Sequence, residues 1–190
     1  MAATPKFAHV VLQTSRLDEM RDWYCALLDG HVVFENGALS FVTFDEEHHR
    51  IAFIAPPVQL EAKSPLASGM HHVAYTFASL DDLLDRYANL KERGIEPHVP
   101  VQHGVTTSLY YRDPDGNFVE LQVDNFATPD EATAYMSGPE YSEDPVGVGF
   151  EPDKMAAALR AGTEQGELMT RRWALTTSPG MPNPLEAMSR

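Results

Sequence analysis

The chain has 190 residues, 43% of them hydrophobic, enough for one domain or for two small modules sharing a core. Fourteen Lys and Arg against 28 Asp and Glu give a formal charge of −14, a surface that repels nucleic-acid backbones and anionic membranes and excludes both as expected partners. Cys25 is the single cysteine, so an internal disulfide and a cysteine-rich zinc site are excluded; with no apolar stretch of membrane-spanning length and no secretory apolar segment at the start, a soluble cytoplasmic protein is expected.

Residues 7–13 read as a strand. A helix follows, capped by Ser15, with Asp18 and Glu19 in its first turn and Leu17, Met20, Tyr24, Leu27 and Leu28 on one face. Cys25 falls in this helix and reads as a small core residue. Gly30 ends the helix. Strands are expected at 31–35 and 39–44, joined by the hairpin signal Asn36-Gly37, and at 49–55, ended by Pro56-Pro57. Residues 58–68 read as a linker. The second segment has a strand at 71–77, then a helix capped by Ser79, with Leu80, Leu83, Leu84, Tyr87 and Leu90 as its apolar face and Gly94 as its stop. Strands are expected near 98–101, 105–112 and 117–123, the last two joined by the turn Asp113-Pro114-Asp115-Gly116. From Phe126 on the pattern changes. Thr128-Pro129-Asp130-Glu131 reads as a helix start, 155–161 as a second short helix, and the stretch beyond Thr176 as an extended or disordered arm.

The order βαβββ therefore occurs twice, and the copies align. His9 and His72 are offset by 72 − 9 = 63, and the same offset pairs Leu17 with Leu80, Asp18 with Asp81, Asp22 with Asp85, Tyr24 with Tyr87 and Leu27 with Leu90. The expected class is α+β, with paired βαβββ modules (1–57 and 69–125) forming a curved mixed sheet of eight strands, the helices outside, and 126–190 as a helical or extended tail. Two modules that each lead with a histidine can bring those histidines together, and converging imidazoles suggest a metal site. Alternation along the last strand puts Phe118, Glu120 and Gln122 on one face. Matching the hairpins of the two copies sets Phe53 opposite Glu120. His9, His72 and Glu120 then make a two-histidine, one-carboxylate ligand set, with Phe53 blank at the fourth position; this is the set of non-haem Fe(II) enzymes. Taken singly, each residue reads equally as a hydrogen-bonded core histidine or a solvent-facing glutamate, and the repeat is what favours convergence.

The paired βαβββ copies, the histidine-led strands and the segment Asp113-Pro114-Asp115-Gly116-Asn117-Phe118-Val119-Glu120-Leu121 resemble the vicinal oxygen chelate (glyoxalase/bleomycin resistance/dioxygenase) superfamily over about the first two-thirds of the chain. Within it the chain resembles the small one-domain type I extradiol dioxygenases. Glyoxalase I and the superfamily's epimerase use a further carboxylate where Phe53 stands here. Extradiol enzymes have a His-His pair leading the strand that ends the first module, matched by His48-His49, and a tyrosine ten positions before the glutamate ligand, matched by Tyr110 (120 − 10). Their substrate-side histidine is matched loosely by His103, which reads equally as a loop histidine. The superfamily pattern His-x-Ala-aromatic selects His72 over His71.

The resemblance implies an Fe(II)-dependent enzyme that opens the ring of a catechol-type aromatic diol with dioxygen, and a homodimer or higher homo-oligomer. His9, His72 and Glu120 would hold the iron. His49, with the strand parity of Phe53, would point at the substrate and move the catechol proton. Tyr110 would donate a hydrogen bond to a ring oxygen, with His103 as a further catalytic candidate, and Phe53 would form an apolar wall. Two alternatives stand beside this reading. One is a metal-dependent isomerase, lyase or thiol transferase of the same superfamily, and the other is a metal-free aromatic-binding protein.

Overall fold

A computed structural model describes residues 3–64 and 67–189. The chain divides into two compact units, one of residues 1–64 and 113–117, the other of 65–112 and 118–190.

The first unit runs β1 (Val10–Gln13), α1 (Leu17–Leu28), β2 (His31–Glu35), β3 (Leu39–Thr43) and β4 (Ile51–Ile54). Its sheet order is β1-β4-β3-β2, with β1 parallel to β4 and the other pairs antiparallel. Met20, Tyr24 and Leu27 recur at helical spacing and bury one stripe of α1. The N-cap is Arg16 rather than Ser15, and no side chain caps it; Thr14 accepts the Arg16 amide instead. The helix ends on Asp29 in the left-handed conformation, and the Gly30 amide closes the turn on the Cys25 carbonyl. Asn36 Oδ1 accepts the amides of Ala38 and Leu39, fixing the β2–β3 hairpin.

The second unit repeats the order with β5 (His72–Phe77), α2 (Leu80–Glu92), β6 (Val99–Gln102), β7 (Thr106–Arg112) and β8 (Phe118–Asp124). Ser79 caps α2 by accepting the Asp82 amide, as expected. Leu80, Leu83, Leu84, Tyr87 and Leu90 are all buried. The sheet order is β5-β8-β7-β6-β9, the first four strands standing as β1-β4-β3-β2 do in the first unit. His9 and His72 thus precede or open equivalent strands. The strands form one four-stranded and one five-stranded sheet rather than a single eight-stranded one.

Residues 126–190 supply α3 (Pro129–Met136), α4 (Pro139–Glu143), the edge strand β9 (Val148–Gly149), α5 (Pro152–Arg160), α6 (Gln165–Leu168), α7 (Arg171–Thr177) and α8 (Pro184–Met188). Thr128 and Glu131 form the reciprocal capping box read from the sequence. This stretch belongs to the second unit. Phe150, Met155, Leu168 and Ala174 are fully buried in it. The stretch beyond Thr176, expected to be extended or disordered, ends in α8, and the apolar Met188 supplies the reason by burying itself with Val99, Val101, Tyr110 and Phe118. Among the described residues no helix is long and apolar enough to cross a membrane.

Candidate active site

The second unit brings four of the expected residues together. β5 runs parallel to β8 with His72 beside Phe118 and Ala74 beside Glu120; β7 runs antiparallel to β8 with Tyr110 beside Glu120. Paired residues on adjacent strands point to the same side, so His72, Phe118, Glu120 and Tyr110 share one sheet face. The other face carries Val119, Leu121, Val123 and the wholly buried Tyr111.

Glu120 is only 4% exposed, and a buried carboxylate needs partners. His72 Nε2 lies 3.1 Å from its Oε2. Burial pushes the Glu120 carboxyl up, but hydrogen bonding to His72 and Ser108 and the nearby imidazoles of His72 and His103 outweigh it, leaving the group below its ordinary value and ionised. His72 Nδ1 meets His71 Nδ1 at 2.8 Å. A histidine whose second nitrogen is held in this way has its ring orientation fixed, as metal-binding imidazoles do.

Beside this pair lies a second chain of contacts. His103 Nδ1 is 2.5 Å from the Val146 carbonyl oxygen, and its Nε2 is 3.0 Å from the Tyr110 hydroxyl. A carbonyl only accepts, so Nδ1 carries the proton and Nε2 accepts from Tyr110. Burial holds His103 below its ordinary pKa, and burial followed by the Glu120 charge raises that of Tyr110. Tyr110 therefore stays a neutral donor. Arg171, itself buried, donates through Nη2 to the His103 carbonyl and through Nη1 to the Glu140 carbonyl at 3.3 Å.

The first unit holds the remaining candidates. His9 is exposed just before β1, and its ring stacks on His49 at 4.4 Å. His49 also stacks on Phe41 at 4.8 Å, and Phe41 contacts Phe34 at 5.4 Å. Burial, then the neighbouring His9 and His48, hold His49 below its ordinary pKa. His49 lies in the bent segment before β4, so strand parity does not govern its direction.

Phe53 requires a correction. It is wholly buried and packs on Tyr24 of α1 at 5.3 Å, so it belongs to the helix-covered core and forms no wall beside the histidines. The register gives the reason. Two residues beyond His72, Ala74 pairs with Glu120; two beyond His9, Val11 pairs with Ala52. Ala52, not Phe53, is the counterpart of Glu120, and a slip of one residue moves a side chain to the opposite face. The fourth position stays blank, since an alanine methyl cannot ligate.

Three contributors escaped the sequence reading. Ser108 shares the parity of Tyr110 and could have been found by alternation. His71 was set aside for His72, yet it orients it. Arg171 lies too far along the chain for any local pattern to connect it to His103.

His72 Nε2 and an ionised, buried Glu120 are the nitrogen and oxygen donors that a first-row divalent ion takes. Among the described residues, neither unit by itself gathers three His, Cys, Asp or Glu in metal-holding geometry. His72 and Glu120 are two donors that fit.

The family model of the Glyoxalase/Bleomycin resistance protein/Dioxygenase superfamily matches residues 6–121. The chain is 65% identical over 189 residues to biphenyl-2,3-diol 1,2-dioxygenase 2 of Rhodococcus globerulus, covering 100% of both chains. It is 56% identical over 178 residues to biphenyl-2,3-diol 1,2-dioxygenase 3 of the same organism, covering 93% of this chain and 94% of that one. A glyoxylase/bleomycin resistance protein/dioxygenase domain from a Frankia species superposes with a TM-score of 0.53 at 20% identity, covering 64% of this chain and 99% of that one, and so shares the fold. With two βαβββ units in one strand order and a family match over both, the chain belongs to the glyoxalase/bleomycin resistance protein/dioxygenase superfamily.

Proposed function

We propose that the protein is an Fe(II)-dependent extradiol dioxygenase that opens the ring of a catechol-type aromatic diol, biphenyl-2,3-diol being the first candidate. The observation that carries this reading is the meeting of His72 Nε2 and Glu120 Oε2 at 3.1 Å on a face shared with Tyr110, in a chain 65% identical over its length to a biphenyl-2,3-diol 1,2-dioxygenase. His72 and Glu120 hold the metal, and His9, which stands before β1 as His72 opens β5, completes the set. Fe(II) supplies Lewis acidity toward two vicinal oxygens and a route for electrons to dioxygen.

The chain's own groups handle position and protons. Tyr110, kept neutral by burial and by Glu120, donates toward a ring oxygen. His103 Nε2, unprotonated while Nδ1 is bound to Val146, accepts the single Tyr110 proton in the free site, and that proton turns to the ring oxygen when the diol binds. His49, held below its ordinary pKa, is neutral near pH 7 and takes a catechol proton. Residues 1–125 make up the catalytic domain, 126–190 supports it, and the protein works as a homodimer.

The test is anaerobic reconstitution with Fe(II), followed by a panel of catechols and oxygen uptake. The wild type should take up iron and consume one dioxygen per diol, giving yellow ring-opened products. Glu120→Ala should lose iron and keep its fold. Stoichiometric iron in that variant would remove Glu120 from the ligand set.

A further inference from the structure

The C-terminal helix lies on the face that carries the proposed ligands. Met188 is 9% exposed and clusters with Val99, Val101, Tyr110 and Phe118, with Ala187 packed against the group. Val99 pairs with Tyr110, Tyr110 with Glu120, and Phe118 with His72. Met188 therefore shares one apolar cluster with the direct strand neighbours of both His72 and Glu120, on their side of the sheet. The placement is pinned at both ends of α8. Asn183 caps the helix by accepting the Leu185 amide, and His98 Nε2 lies 3.2 Å from the Ala187 carbonyl oxygen. On the opposite flank of the same face Ala74 and Thr76 of β5 are exposed, and His72 is partly so. This face is walled at β6 and β7 and open at β5.

We propose that α8 is the wall of the aromatic-diol site and that Met188 determines specificity by limiting the apolar substituent the ring carries. The proposal rests on His72, Glu120 and Tyr110 being the site. Chemistry favours the residue. A thioether side chain has no polar atom to desolvate, bends to an irregular shape and makes favourable contact with aromatic rings. A diol held near Glu120 and Tyr110 lies on the face whose apolar cluster includes Met188. The ligand class this wall suits is a catechol bearing a bulky apolar group, a second ring included.

The experiment uses the full chain, loaded anaerobically with Fe(II), as wild type, Met188→Ala and Met188→Trp. Iron content, thermal midpoint, anaerobic dissociation constants and kcat/KM are measured with catechol and with biphenyl-2,3-diol. Both variants should bind iron as the wild type does. The ratio of kcat/KM for the two diols should shift by about tenfold or more in Met188→Ala and in the opposite direction in Met188→Trp, because pocket volume discriminates on that scale. The dissociation constants should move with it. Met188→Ala carries the test if the larger side chain does not fold. An unchanged ratio in an iron-loaded, folded Met188→Ala overturns the wall. A wild type that holds iron and opens neither diol overturns the dioxygenase reading and the wall with it.

Discussion

Arg171 enters from α7 and holds the His103 backbone, a task normally left to a local turn. Among the described residues it has no carboxylate partner; its guanidinium lies over the Tyr135 and Tyr141 rings at 5.9 and 5.7 Å and donates to two carbonyls. Arg171→Met should take the guanidinium donor from the His103 carbonyl, while the Glu140 carbonyl keeps the Asp144 amide, and cost about 1–3 kcal/mol in denaturant unfolding. Arg171→Lys keeps the charge without the planar fork, so its turnover should fall while its iron content holds. His103 also gives a pH signature. Burial lowers its folded pKa below the ordinary 6.5, so the unfolded chain binds more protons in that window. Its contribution to stability is therefore complete above pH 6.5 and is lost as pH falls from there toward the folded value. The thermal midpoint of the wild type should drop more steeply on acidification through that window than that of His103→Gln. For His49, the conservative change His49→Gln retains a donor and removes the titrating nitrogen. Iron should stay near the wild-type level while turnover falls by roughly two to four orders of magnitude. Lost iron would make His49 a ligand.

At the scale of elements, both long helices could be read from period alone, because each buries one stripe only, and most of the strands from their apolar runs and the turns between them. The apolar stripe of α2 and its Ser79 cap came through residue for residue. What could not be read was the phase of β4. Ile51, Ala52 and Phe53 are all buried, so the run has no polar member to mark which side faces the helix, and its alignment with β8 in the sequence is off by one residue. Glu120 escaped this because it is the single charge between Phe118 and Val123. The loop geometry around β9 was equally hidden. Gly147 has φ +96°, and a Cβ there would strike the Gln102 carbonyl of β6. It sits between Val146, which holds His103, and β9, which pairs with β6. Gly147→Ala should cost about 1–3 kcal/mol of stability and reduce turnover together, since the Val146 carbonyl cannot keep its place. Wild-type kinetics in that variant would separate His103 from the Val146 contact.

At the scale of the whole molecule, the first unit leaves an apolar edge in water. β2 ends its sheet, and Val32, Val33 and Phe34 are 39, 44 and 47% exposed, although all three would be core residues in an average strand. The pairing with β3 shifts between Val32 and Phe34, and such a bulge blunts an edge against the addition of another strand. Contact through the side chains is left, which suits a homodimer more than an open-ended stack. Charge opposes it, since two chains at −14 repel each other at long range. Salt screens that repulsion over about 8 Å at physiological ionic strength while leaving apolar contact intact. Dimerisation should therefore tighten as salt rises, opposite to an interface built on ion pairs. Val33→Lys places a charge in the middle of the patch on a residue already exposed, so the fold should survive and the dimer should weaken. Sedimentation equilibrium of the two proteins at low and moderate salt measures both effects. A wild type that remains monomeric at micromolar concentration in either salt would rule out the dimer, and a dimer indifferent to Val33→Lys would move the interface off β2.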